Sequence, residues 1–409
     1  MKIPLSIKHF KLETCFRKKE ACNIMAPEIL NRRRFLKAGT ITALGSGLPA
    51  ASQAQAKDRG PADLLRAGII LGGGNHAMNM WARLLNTTPD TNNITHTPRR
   101  TGMVFTHVWS VLPEMAEVFA KKFGVRNVVK RFDDMVGKVD GMFIDAFFGT
   151  PYNHHLARPY IEAGIPTFIN RPFSDNVRKA REIVELAKKY NTPVMTGSSF
   201  EHLECTMCVR NRYPYKNVTE YDAYNATSDF YSHGVHGLLF AYACVRGGME
   251  AVSHRTDSWI KGGGMTSVVY KDRGNGPFIG RIHDYSTENY LCAIKFKDSQ
   301  QFYGFGPCNW DQYMWIHLLQ RIQVMFETGS MPDTHDEIVE KTAMFVAAFR
   351  SITRENGNLA GLNDLDEDWA IGTPWGWEPS RNPYMEEQKG YSKLFGEEKG
   401  ELRPDRTYG

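Results

Sequence analysis

Between residues 64 and 200, short apolar runs alternate with amphipathic stretches. Ala67–Leu71, Met103–Trp109, Gly141–Phe147, Thr167–Ile169 and Pro193–Gly197 are largely apolar and of strand length, as in strands buried on both faces. Met78–Leu85, Pro113–Phe123, Asn153–Ala163 and Ser174–Tyr190 have helical spacing instead. In the second of these, Met115, Val118, Phe119 and Phe123 are the apolar positions, and Gly124 follows as a C-cap. Ser174 reads as the N-cap of the fourth. Such β-α alternation predicts a doubly wound parallel sheet.

After residue 200 the pattern changes. Asn217–Tyr224, Ser253–Ile260, Ser267–Tyr270, Asn289–Phe296 and Gln301–Phe305 read as strands, the last two joined by a turn at Lys297-Asp298-Ser299. Two strong helical patterns interrupt them, Gly234–Arg246 and Asp336–Glu355. The expected organisation is a leader over 1–56, a first α/β domain over 57–200 and a sheet-rich second domain over 201–363 with helices on one face. An irregular arm, rich in Gly, Pro and Trp, is expected over 364–409.

A chain of 409 residues has room for two such cores. Its net charge of +5 is concentrated at the start. Residues 1–56 hold ten Lys+Arg against three Glu, a net of +7, which leaves −2 for the remainder. Nucleic acid is therefore not an expected partner.

Arg32-Arg33-Arg34-Phe35-Leu36-Lys37 precedes a mild apolar segment and Ala54-Gln55-Ala56. A basic region, an apolar core and an A-x-A site make a secretory signal, and R-R-x-F-L-K resembles the twin-arginine form. The expectation is export, to the periplasm or an equivalent space, with no permanent membrane anchor, because the apolar stretch is short. Met25 would give this signal ordinary proportions. Cys205, Cys208, Cys244, Cys292 and Cys308 follow the leader, an odd number that argues against a complete disulfide framework.

The chemistry centres on the first predicted strand. It runs into Gly72-x-Gly74-x-x-Ala77, and a helical pattern follows. In a strand–turn–helix, Gly72 allows the tight turn, Gly74 lets backbone approach a pyrophosphate, and Ala77 lets the helix close on the strand. The pyrophosphate then meets free N–H groups at the helix start. His236 opens an apolar helix and reads either as a core histidine or as a base, with His233 close by. His154 and His155 read as helix-start histidines rather than metal ligands. Asn309-Trp310-Asp311 with Tyr313 and Trp315 reads as a packing cluster or a sugar-stacking surface.

Over most of Leu64–Leu362 the motif order resembles the Gfo/Idh/MocA family of NAD(P)-dependent oxidoreductases. Five stretches carry it: Gly72 to Ala77; Thr150-Pro151-Tyr152-Asn153-His154-His155; Ala163 to Pro172; Ser232-His233-Gly234-Val235-His236; and Glu327 to Gly357. The resemblance implies a Rossmann domain followed by an α/β domain with an open, mainly antiparallel sheet, and homo-oligomer formation. It implies a cofactor, NAD or NADP, held by Gly72, Gly74, Asn75, His76, Ala77, Ser110, Thr150, Pro151, His155, Asn170 and Arg171. It further implies hydride transfer with a sugar or polyol-like substrate, with His236 and Arg171 as catalytic residues and no metal. Arg171 stands where the family has a lysine, and Ser232 where it has an aspartate. Ser110 replaces the acidic residue that usually follows the second strand, which leans the expectation toward NADP. The rival expectations are an NAD-dependent glycosidase working through transient oxidation and a non-catalytic binding protein on the same fold.

Overall fold

The computed structural model describes residues 64–73, 76–86, 101–212, 215–226, 230–256, 263–285, 291–297, 312–372, 382–398 and 400–401. The leader, the expected strand Gln301–Phe305 and the cluster Asn309–Asp311 lie outside them.

The apolar run of β1 (Leu65–Leu71) is buried at every position except Arg66 and the half-exposed approach to it. β1 pairs in parallel with β2 (Met103–Trp109) on one side and with β4 (Gly141–Asp145) on the other. The short β3 (Asn127–Val128) lies beyond β2. β5 (Thr167–Asn170) and β6 (Val194–Gly197) continue the sheet from β4. The order β3-β2-β1-β4-β5-β6, all parallel, is that of a Rossmann sheet. The chain winds outward from β1 in both directions, which opens a crevice at the C-terminal ends of β1 and β4.

Four helical segments connect these strands. A π-helical turn, Ala77–Trp81, continues as α1 (Ala82–Leu85). α2 (Pro113–Phe123) ends at Gly124, whose positive φ of 66° closes the helix as its sequence position predicts. α3 is Asn153–Glu162, and α4 is Val177–Tyr190. The N-cap of α4 is Asn176, which accepts from the Lys179 N–H; Ser174 instead accepts from the Asn176 N–H. The expected cap was thus two residues early, because both side chains can cap and the helix begins after the second.

The second sheet has β7 (Val218–Ala226), β8 (Met249–Thr256), β9 (Gly264–Tyr270), β10 (Phe278–Tyr285), β11 (Leu291–Phe296) and β12 (Ala360–Gly361). They lie in the order β11-β7-β10-β9-β8-β12. Every pairing is antiparallel except that of β7 with β10. α5 (Glu204–Arg212) leads into this region. α6 (Val235–Val245) is buried on all sides, as its continuous apolar sequence demands. α7 is Gln312–Thr328, and α8 (His335–Thr353) packs against both β8 and α4. Residues 56–409 thereby form one compact unit.

Two helices correct the sequence expectations. α7 is absent from the sequence expectations, yet it seals the first sheet: the Phe326 ring packs directly on Gly141 of β4, in the space a Cβ would need. The arm expected to be irregular carries α9 (Asn382–Phe395), which returns to the first sheet. Among the described residues, no helix is long and apolar enough to cross a membrane.

Candidate functional site

β1 delivers the Gly-rich turn to the crevice, and the Gly72 N–H donates to the Asp145 carbonyl at the end of β4. Gly74 and Asn75 fall outside the described residues. His76 opens the helical segment, and Ala77 is wholly buried, as close packing of that segment on the strand requires. The apolar β4 ends in a carboxylate. Asp145 Oδ2 accepts the Ala77 N–H at 2.9 Å, and Oδ1 accepts from Asn170 Nδ2 at 2.7 Å.

The end of β5 places Asn170 and Arg171 beside this turn, with a cis peptide between Arg171 and Pro172. Arg171 Nη2 donates to His76 Nε2 at 2.9 Å and to His236 Nε2 at 2.7 Å. Arginine cannot accept, so the Nε2 of His236 carries a lone pair and its proton sits on Nδ1. That Nδ1–H donates to Ser198 Oγ at 2.5 Å. Ser198 itself is fixed by a capping box with Glu201, whose carboxylate accepts the Ser198 N–H. His76 also meets Asn170 Nδ2 at its Nδ1, 2.8 Å away. A neutral ring accepts at one nitrogen only.

Burial holds both rings neutral. The His236 pKa lies well below the usual histidine value because of burial and then the Arg171 charge. His76 is lowered to about 4 by the same two causes. A base at His236 is therefore unprotonated at neutral pH but weaker than an exposed imidazole. Trp315 of α7 closes the site over His76, with ring centroids 4.8 Å apart, and Phe200 lies 5.2 Å from His236.

His76, Asn170, Arg171 and His236 thus come together, with the Ala77 N–H at their edge. Ser110, Thr150, Pro151 and His155 make other contacts. Ser110 is buried and accepts the Leu112 N–H. Thr150 and Pro151 form a buried helical turn in which Thr150 Oγ1 donates to the Phe147 carbonyl. His155 stacks on Phe395 of α9, at 4.9 Å. With His154 and Glu398 it forms a group whose ligand atoms lie within 4.8 Å, but Lys179 Nζ is 3.0 Å from that glutamate. Sequence reasoning missed Asp145, Ser198 and Glu387. The Ser198-x-x-Glu201 pattern was a readable capping signal for the second.

A dinucleotide fits this turn in kind: Gly72, Gly73 and the small, buried Ala77 lie between β1 and the helical segment that follows it. The seat is also contested. Glu387 Oε2 of α9 accepts the Gly73 N–H at 2.6 Å, and a Cβ on Gly72 would lie 2.4 Å from Glu387 Oε1. Burial, together with the nearby Asp145 charge, pushes the Glu387 carboxyl up to about 8 against the pull of that N–H.

Comparison with known proteins agrees with the architecture. Residues 65–198 match the GFO_IDH_MocA family model, described as an oxidoreductase family with an NAD-binding Rossmann fold. No curated protein matches the chain. Among solved structures, a myo-inositol dehydrogenase from Lactobacillus casei, in complex with NAD(H) and myo-inositol, is similar. It is 10% identical with a TM-score of 0.59, over 77% of this chain and 100% of that one. A scyllo-inositol dehydrogenase from the same organism, with bound NAD(H) and scyllo-inositol, gives 13% and 0.57 over 74% and 100%. A probable dehydrogenase from Thermotoga maritima gives 14% and 0.57 over 73% and 99%. At these identities the likeness is one of fold.

Proposed function

We propose that this protein is an exported NAD(P)-dependent oxidoreductase that acts on a CH–OH group of a sugar or polyol-like substrate. The observation that carries this reading is the juxtaposition of Arg171, His76 and His236 beside the Gly-rich turn. Gly72, Gly74, Ala77, His76 and Asn170 are the residues that would hold the cofactor. Bound nicotinamide supplies the hydride acceptor or donor. The chain's own groups handle the proton. A substrate hydroxyl entering between Arg171 and His236 would accept from the guanidinium and give its proton to His236 Nε2. Ser198 holds the imidazole in the tautomer that leaves Nε2 free of hydrogen. Arg171 orients and does not titrate. Ser110 at the end of β2 brings no carboxylate against a 2′-phosphate, so NADP is an acceptable cofactor. The dehydrogenase neighbours, two of them solved with an inositol, support the substrate class.

The test is direct. Purified protein given NAD or NADP and a panel of inositols, aldoses and linear polyols should develop the reduced-nicotinamide absorbance band with at least one of them. Absence of that band across the panel, with nucleotide demonstrably bound, would set the hydride-transfer reading aside. A non-catalytic protein is the second reading, favoured by the two acidic side chains, Asp145 and Glu387, that hold the Ala77 and Gly73 N–H groups.

Export rests on Arg32-Arg33 before the apolar segment. Changing both to Lys should leave the precursor in the cytoplasm, as judged by fractionation and immunoblotting. Undiminished export of that variant would remove the twin-arginine assignment.

A further inference from the structure

α9 lies across the tips of three strands of the first sheet. Glu387 sits on the turn after β1 through the Gly73 N–H. Gly390 lies against the segment after β2, where a Cβ would come 2.6 Å from Val111 Cγ2. Tyr391 stacks on Tyr152 with centroids 5.5 Å apart, and a Cβ on Gly149, after β4, would lie 2.7 Å from its ring. These are the places where a Rossmann crevice receives the pyrophosphate and the adenosine ribose.

Among the described residues, further contacts that hold α9 lie downstream of this point. Ser392 Oγ is 3.0 Å from the Tyr152 hydroxyl, and Phe395 packs between Phe132 and Tyr152. Beyond the helix, Glu398 pairs with Lys179 at 3.0 Å and Glu401 with Arg354 at 2.7 Å. The part over the crevice is less well satisfied. Glu387 Oε1, Gln388 Oε1 and the Tyr391 hydroxyl are buried without a hydrogen-bond partner among the described residues. Each such atom counts against holding the helix there. The helix is thus anchored at its far end and weakly held over the cofactor seat.

We propose that α9 is a strap that fills the ADP half of the crevice, with Glu387 in the pyrophosphate seat and Tyr391 in the ribose seat, so that dinucleotide and strap exclude each other. This rests on the reading of the crevice as a dinucleotide site. Free nucleotide binds only the fraction of molecules with the strap lifted, and its apparent affinity is reduced by that fraction. Loss of Glu387 removes the strap's hydrogen bond to the Gly73 N–H and the side chain that fills the pyrophosphate seat.

The test uses the full chain and NAD itself. Isothermal titration should give binding about tenfold tighter for Glu387→Ala than for the natural protein. Tyr391→Ala should act in the same direction. Hydrogen exchange in residues 386–395 should accelerate when saturating NAD is added to the natural protein. NAD binding that leaves that exchange unchanged or slower would overturn the strap and leave the dinucleotide site standing. Failure of NAD to bind the natural protein and both variants, with all three melting cooperatively, would overturn the dinucleotide reading and the strap with it.

Discussion

His236→Asn is expected to lower kcat by about 10²–10⁴, the usual cost of losing a general base. The argument is one of proton placement. Arg171 donates to His236 Nε2, and Ser198 accepts from Nδ1, so the ring has a single basic nitrogen and it faces the guanidinium. Asn can retain one polar contact in that space but cannot take up a proton. Nucleotide affinity should be unchanged, because the substitution lies on α6 and leaves the Gly-rich turn intact. Single-turnover rates on the best substrate of the panel would measure the effect, with a melting curve to confirm folding. Turnover at the natural rate would place the base elsewhere, and His233, whose ring lies 6.4 Å from that of His236, would be tested next.

Lys341→Met should cost about 3–5 kcal/mol of stability, the scale of breaking a buried ion pair. Lys341 is almost fully buried, in contact with Glu201 and 2.7 Å from Asp333. Burial pulls its ammonium down, but the two carboxylates outweigh this and leave its pKa raised. Asp333 has Arg210 and Arg246 at 3.5 and 3.6 Å to share its charge. Among the described residues Glu201 keeps only the Ser198 N–H, so most of the loss falls there. Urea denaturation would measure the loss. The double variant Lys341→Met/Glu201→Gln should recover part of it by removing the stranded charge. A single variant as stable as the natural protein would show that the carboxylates find other compensation. Through Glu201 and Ser198 the same network reaches His236, so Lys341 also positions the candidate base.

Five strands of the first sheet were legible as largely apolar runs, and Gly124 marked the end of α2; β3, two residues long with Asn127 exposed, gave no such run. The second sheet was harder to read. β10 escaped because Arg281 and His283 interrupt it; in the structure they pair across the sheet with Glu220 and Asp222 of the parallel β7. Those charges look like a loop until the partner strand is known. α7 turns one face to the first sheet, where Trp315 meets Trp81 and Phe326 meets Phe143. At the site, His76, Asn170, Arg171 and His236 were selected by motif, and the structure brings them together. Asp145 was hidden inside an apparent apolar strand. Glu387 carried no local signal at all, because what makes it notable is a turn far away in the chain.

That distance has a consequence for the order of events during synthesis. Gly73 and Glu387 are 314 positions apart. Closing so long a loop costs about 5 kcal/mol by logarithmic scaling, so the contact forms readily once both ends exist. At ordinary ribosomal speed the second end emerges about 15–60 s after the first. From the time β4 has been made until that point, the tips of β1, β2 and β4 have no α9 across them. A dinucleotide in the compartment of synthesis therefore meets the crevice before its competitor has been made.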